Sequence, residues 1–204
     1  GHLLFFATDR PGGSGGFDIW ISWRADTSDD LAWEAPVNLG TGINSSATDA
    51  GPAFLGHAGS GRPGEWITVA AIPQLFMASN RSGGAGGLDI YVATVPGGWF
   101  GPPRLVAELN SPQADLTPAI SGSGLELVLA SDRPGTVGGQ DLWVATRKAL
   151  HRPWSAPQNL GAAVNSTSLE NFPALSADGA SLYFTSSRSG GFGGTDLYVA
   201  TRWQ

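Results

Sequence analysis

Short runs of apolar residues recur along the chain, separated by Gly, Pro, Asn and Asp. Leu182-Tyr183-Phe184-Thr185 and Asp196-Leu197-Tyr198-Val199-Ala200 are rich in β-branched and aromatic residues and alternate with a period of two. That pattern predicts strands. Pro173-Ala174-Leu175 predicts a short strand before them, with a turn at Asp178-Gly179, and Trp154 to Leu160 predicts a fourth. No window shows a helical period.

The pattern repeats. Leu4-Phe5-Phe6-Ala7-Thr8-Asp9-Arg10-Pro11-Gly12-Gly13 leads to Phe17-Asp18-Ile19-Trp20-Ile21. The phrase returns around Arg81/Asp89, Arg133/Asp141 and Arg188/Asp196, and the Arg-to-Asp spacing is eight residues in all four copies. A second phrase occurs three times. Trp33, Trp99 and Trp154 are each followed at 3, 11, 16 and 19 residues by Pro, Asn, an acid and Pro: Pro36, Asn44, Asp49 and Pro52; Pro102, Asn110, Asp115 and Pro118; Pro157, Asn165, Glu170 and Pro173. Four-stranded units of about fifty residues predict one all-β domain over 1–204, a β-propeller of antiparallel blades. The units run approximately 1–44, 45–110, 111–165 and 166–204. The chain opens on a blade's second strand and reaches Trp203 where a fourth strand should begin. The expected count is two full blades, one without its innermost strand and one without its outermost. Three explanations stay open: a piece of a larger propeller, an unusual closure, or association through open edges.

The phrase Glu170-Asn171-Phe172-Pro173-Ala174-Leu175-Ser176-Ala177-Asp178-Gly179, continuing through Arg188 to Asp196-Leu197-Tyr198-Val199-Ala200, resembles the WD40-like PD40 repeat. That repeat is known from TolB-like propellers and from envelope proteins that join a propeller to an OmpA-like domain. Trp154-Ser155-Ala156-Pro157-Gln158-Asn159-Leu160-Gly161 with Val164-Asn165-Ser166 resembles the envelope version. The resemblance implies a bacterial periplasmic, outer-envelope or secreted setting and a protein or glycan ligand. The OmpA-like part has no counterpart in these residues, so peptidoglycan binding does not carry over.

Composition narrows the partners. Thirty Gly and 14 Pro fit many short elements joined by turns, and 14% charged residues argue against a coiled coil. The net charge of −6 argues against nucleic acid, which calls for a basic stripe. Zero Cys removes disulfides, thiolate metal sites and a Cys nucleophile. The apolar stretch from Trp66 to Ala78 contains Pro73 and Gln74 and is too short to span a bilayer. The chain opens on Leu3-Leu4-Phe5-Phe6 with no signal-peptide pattern.

Two repeated sets are candidates for chemistry. The pairs Arg10/Asp18, Arg81/Asp89, Arg133/Asp141 and Arg188/Asp196 form either a ring of charged ligand contacts or a clamp. In the clamp, each Arg pins its own blade's Gly-rich loop through the Asp carboxylate or loop carbonyls. Recurrence in every unit favours the clamp. Asp49, Asp115 and Glu170, with Asn44, Asn110 and Asn165 five residues earlier, are the candidate ligand-binding set. They fall where one blade hands over to the next, at the mouth of a propeller's channel. There they could hold a hard cation such as Ca2+ or a cationic or hydroxyl-rich ligand. Alternatively they cap turns.

No catalytic residue is assigned and no cofactor is called for. His2, His57 and His151 are scattered without metal-ligand spacing. The second unit carries an insertion over 56–73, with a candidate strand at 66–70. There His57, Arg62 and Glu65 gather, as a Gly-rich loop or as the seat of a hydrolase or lyase. No Gly-x-Ser-x-Gly elbow occurs. Ser131-Asp132-Arg133-Pro134-Gly135 departs from a sialidase Asp box. Trp33, Trp99 and Trp154, and the position shared by Trp20, Tyr91, Trp143 and Tyr198, read as blade packing; Trp23 and Trp66 break the register and are candidates for sugar stacking.

Overall fold

The computed structural model describes residues 1–56, 73–95 and 99–202. The candidate strand at 66–70 and His57, Arg62 and Glu65 lie outside the described residues, as do Trp66 and Trp203.

Among the described residues, four antiparallel sheets follow one another along the chain. The first blade holds β1 (Leu3–Thr8), β2 (Asp18–Trp23) and β3 (Val37–Asn38). The second holds β4 (Asp49–Leu55), β5 (Gln74–Ser79), β6 (Asp89–Thr94) and β7 (Arg104–Leu105). The third holds β8 (Asp115–Ile120), β9 (Glu126–Ser131), β10 (Asp141–Thr146) and β11 (Gln158–Asn159). The fourth holds β12 (Glu170–Leu175), β13 (Ser181–Ser186) and β14 (Asp196–Thr201). The chain is an all-β propeller; among the described residues the first and fourth sheets have three strands each, the first without an innermost strand and the fourth without an outermost one. One turn of 3-10 helix, Ala107–Leu109, interrupts the link from the second blade to the third.

The middle strands of the second and third blades are apolar on both faces because each of these blades is packed between two others. Along β5, Leu75 and Met77 enter the core shared with the first blade, while Phe76 and Ala78 enter the core shared with the third. Along β9, Leu127 and Leu129 face back and Val128 and Ala130 face forward. Successive side chains on a strand point to opposite faces, so one strand serves two interfaces.

The inner strands begin three residues before the prolines at which the sequence pattern opens them. Register shifts fall between Ala50 and Ala53, Leu116 and Ala119, and Asn171 and Ala174. Each inner strand is therefore bulged, and Pro52, Pro118 and Pro173 sit in the bulge, where a missing N–H breaks no ladder bond. The residue before each Pro is left-handed: Gly51 at φ 58, Thr117 at φ 42 and Phe172 at φ 49. The blades meet there, since a Cβ on Gly51 would stand 3.0 Å from the Thr117 Cα.

The Trp positions do not all play the same part. Trp154 is buried between the second and third blades, edge-on to Phe76 at 6.1 Å. Between the first and second blades that role falls to Phe100, edge-on to Phe5 at 6.1 Å, and Trp99 is left largely exposed.

Candidate functional site

Three of the four repeated Arg residues are bonded to the three acids reading as a ligand ring. Arg81 donates from Nη2 to Asp49 Oδ1 at 2.5 Å and to the Ile43 carbonyl at 2.7 Å, and from Nε to Ser79 Oγ at 2.9 Å. Arg133 repeats this with Asp115, the Leu109 carbonyl at 2.6 Å and Ser131 Oγ at 3.0 Å. Arg188 repeats it with Glu170 at 3.1 Å, the Val164 carbonyl at 2.5 Å and Ser186 Oγ at 2.9 Å. Each guanidinium also lies over the aromatic of its own third strand: Arg10 over Trp20, Arg81 over Tyr91, Arg133 over Trp143 and Arg188 over Tyr198, at 4.7–5.3 Å. Arg10 is exposed and makes only the aromatic contacts and a backbone bond to Thr8 Oγ1.

This corrects the pairing expected from the eight-residue spacing. The acid that each of Arg81, Arg133 and Arg188 bonds is on its blade's inner strand, not eight residues on. Asp18, Asp89, Asp141 and Asp196 instead hold the Gly-rich loops directly. Asp89 Oδ2 accepts from the Ala85 and Gly86 amides at 3.0 and 3.2 Å, and Asp196 Oδ2 from Phe192 and Gly193 at 3.1 and 3.3 Å. Asp141 accepts from Val137 at 2.8 Å and from Asn159 Nδ2 at 2.7 Å. Asp18 accepts from Ser14 at 2.5 Å and from Asn38 Nδ2 at 2.9 Å.

The Asn residues bind the blade behind. Asn44 accepts from the Ile19 amide at 2.8 Å and donates to the Ile19 carbonyl at 3.0 Å, so its amide imitates a paired strand. Asn110 does the same to Ile90 at 2.6 and 2.9 Å, and Asn165 to Leu142 at 2.8 and 3.0 Å. Each link between blades is thus fixed on both sides: Asn to the blade before it, acid and Arg to the blade after it.

That use changes what the six residues offer a ligand. Asp49, Asp115 and Glu170 are fully buried. Asp49 Oδ2 accepts from the Ser45 amide at 2.6 Å, and Asp115 Oδ2 from the Ser111 amide at 2.6 Å. Glu170 accepts from Ser166 Oγ and Ser186 Oγ, both at 2.6 Å. The carboxylates do not open onto a channel mouth, and a hard cation there would compete with a guanidinium on each. Burial disfavours the charge on Glu170, but the bonds from Ser166, Ser186 and Arg188 outweigh it and hold its pKa below the ordinary carboxylate range. Among the described residues, no group of three or more His, Cys, Asp or Glu could hold a metal ion.

The surface near the inner-strand bulges belongs to residues that do not repeat. Thr117 Oγ1 donates to Asn171 Oδ1 at 2.7 Å, and Asn171 Nδ2 donates to Gln140 Oε1 at 2.7 Å. Phe172, held left-handed beside them, is 64% exposed. Their letters break the repeat at positions where the repeat itself carries no side-chain rule; that irregularity is their only signal in the sequence. A strained non-Gly backbone with an exposed aromatic and amide neighbours can stack on an apolar or sugar face and bond its polar rim.

No protein-family model and no curated protein matches the chain. Solved structures do. TolB from Acinetobacter baumannii is similar at 13% identity and a TM-score of 0.55, over 98% of this chain and 39% of that one. A thermostable family-43 glycoside hydrolase is similar at 10% identity and a TM-score of 0.64, over 99% of this chain and 68% of that one. An alpha-L-arabinofuranosidase from Lactobacillus brevis is similar at 13% identity and a TM-score of 0.61, over 99% and 69%. At these identities the likeness shows the propeller fold alone. The chain spans about two-fifths of the TolB chain and about two-thirds of the two others.

Proposed function

We propose that the chain is a non-catalytic binding module of PD40 type, working in a bacterial envelope or outside the cell. Its axial ligand is a glycan or protein segment that meets the inner-strand bulges at Thr117, Asn171 and Phe172. The observation that carries this reading is the commitment of the three inner acids: each is buried and bonded to an Arg or, for Glu170, to an Arg and two Ser hydroxyls. Glycoside cleavage takes two carboxyl groups flanking the scissile bond, one of them able to give up a proton. A carboxylate that is fully buried and bonded to a guanidinium is not placed to reach a scissile bond. The likeness to TolB, an envelope-type propeller in the PD40 resemblance, fits the proposed setting.

The test is calorimetric titration with a panel of soluble envelope and plant polysaccharides, followed by a reducing-end assay on each that binds. The expected result is binding without turnover, lost in Phe172→Ala. Turnover that survives Phe172→Ala and disappears with Asp115→Asn would support the hydrolase instead.

A further inference from the structure

Gln140 stands immediately before Asp141, as Phe17 stands before Asp18 and Leu88 before Asp89. The carbonyl of each accepts from the amide of the next inner strand's acid: Phe17 from Asp49, Leu88 from Asp115 and Gln140 from Glu170. The residue after that acid is Ala50, Leu116 and Asn171 in turn. The corresponding pairs are therefore Phe17/Ala50, Leu88/Leu116 and Gln140/Asn171. Leu88 and Leu116 pack on apolar cores, whereas Asn171 Nδ2 donates to Gln140 Oε1 at 2.7 Å. The strands concerned are in direct contact, with β12 packed on both β8 and β10. A place where one copy abandons the rule its other copies keep is a place to look for function.

One backbone group sets the direction of the polar chain. The Phe172 N–H donates to Asn171 Oδ1 at 2.7 Å, so that atom is the oxygen of the amide. Thr117 Oγ1, 2.7 Å from the same oxygen, is then the donor of its bond, and its lone pairs are left over. Asn171 Nδ2 donates in turn to Gln140 Oε1, which leaves Gln140 Nε2 with both protons. Gln140 is half-buried, and its Nε2 has no partner among the described residues. The chain thus ends in an acceptor at Thr117 and a donor at Gln140. Hydrogen bonds in a row polarise one another, which strengthens both ends.

The charges nearby disfavour an anionic ligand. At this end of the third and fourth blades the cations are Arg133 and Arg188, each already bonded to a buried acid. Arg147, Lys148, His151, Arg152 and Arg202 all follow the opposite ends of β10 and β14. Asp132, at the same end as Gln140, is exposed and accepts from the Ala114 amide at 2.9 Å.

Resting on the axial reading above, we propose that Gln140 is its specificity-determining residue and that the ligand is a neutral glycan. A sugar oxygen accepts from Gln140 Nε2, and a hydroxyl of the same glycan donates to Thr117 Oγ1. Sugar hydroxyls both donate and accept, so one glycan meets both ends of the chain. A uronate would bring a charge for which no free cation stands ready.

The test is calorimetric titration of the whole chain with soluble mannan, dextran and galactan, and with the anionic polygalacturonate and alginate. A neutral polymer is expected to bind and the anionic ones are not. Gln140→Glu keeps the acceptor for Asn171 Nδ2 but puts an acceptor where the free donor was. It is expected to weaken binding of the neutral polymer at least about tenfold, with an unchanged melting temperature. Thr117→Val, which removes the hydroxyl, should also weaken binding, and Thr117→Ser should retain it. Unchanged binding in Gln140→Glu, with loss in Phe172→Ala, would overturn the role of Gln140 and leave the axial reading standing. Preference for the anionic polymers, or for a peptide, would overturn the neutral glycan and likewise leave the axis as the site. Binding lost in neither variant, or no binding at all, would overturn both.

Discussion

Arg133 donates its Nη2 to the carboxylate of Asp115, eighteen residues earlier on the inner strand of the same blade. Asp115 is fully buried and the Arg133 side chain is 10% exposed. Removing the guanidinium would leave a buried carboxylate without its cation. Arg133→Ala is therefore expected to lose about 3–5 kcal/mol of stability. Arg10→Ala, in the exposed copy with aromatic contacts only, is expected to lose no more than about 1 kcal/mol. Urea denaturation of the two variants measures the contrast. Equal losses would show that the clamp works through the aromatic stack and not through the acid.

The Asn links give a second expectation. Asn165→Ala leaves the Leu142 amide, inside a buried strand, without a partner, while the Leu142 carbonyl keeps only the Leu160 amide at 3.1 Å, for a loss of about 1–3 kcal/mol. Asn165→Asp should be no better, because a carboxylate can accept from the Leu142 amide but cannot donate to its carbonyl. Hydrogen exchange at the Leu142 amide should accelerate in both variants while that at Ile90, held by Asn110, stays slow.

Glu170 makes stability depend on acid. Its folded pKa lies below its unfolded value, with burial opposing the shift and the Ser166, Ser186 and Arg188 bonds overcoming it. The stabilisation is thus complete above the unfolded Glu value of about 4.3. It disappears as pH falls through the lower folded value. Glu170→Gln should lower stability at neutral pH and flatten the acid limb of a stability-against-pH curve. An acid limb as steep as in the parent would place the titration elsewhere.

Backbone strain at the bulges is separable from side-chain contact. Gly51→Ala places a Cβ 3.0 Å from the Thr117 Cα at a left-handed φ, and is expected to destabilise by about 1–3 kcal/mol. Thr117→Gly relieves the same strain at φ 42 but frees the unfolded chain and loses the bond to Asn171. Its net change should stay within about 1 kcal/mol. Thermal melts of the two variants give the comparison.

The blade order, the Gly-rich loops and the incomplete end sheets were legible because their letters recur at fixed offsets. The Arg–acid bonding was not, since two spacings competed. Arg and the following Asp are always eight apart, whereas acid and Arg are 18 apart in two copies and 32 apart in the third, across the insertion. The constant interval drew the pairing, and the bond followed the interval that the insertion had blurred. Pro52, Pro118 and Pro173 marked bulges inside strands rather than strand starts, because a proline advertises its missing N–H but not the left-handed residue before it. The exchange of Trp99 for Phe100 at an interface was hidden by adjacency: two aromatics side by side give one repeat position two candidates. Thr117, Asn171 and Phe172 break the pattern instead of making it, so periodicity had nothing to say of them.

A double-mutant cycle tests the account's central claim, that Arg81, Arg133 and Arg188 each join their blade's inner strand to the link behind it. The four proteins are the parent, Arg133→Ala, Asp115→Asn and the double variant, with a second cycle pairing Arg133→Ala with Asp141→Asn. The account predicts a coupling of about 2–3 kcal/mol between Arg133 and Asp115, and less than about 0.5 kcal/mol between Arg133 and Asp141. A coupling that falls on Asp141 instead would contradict it.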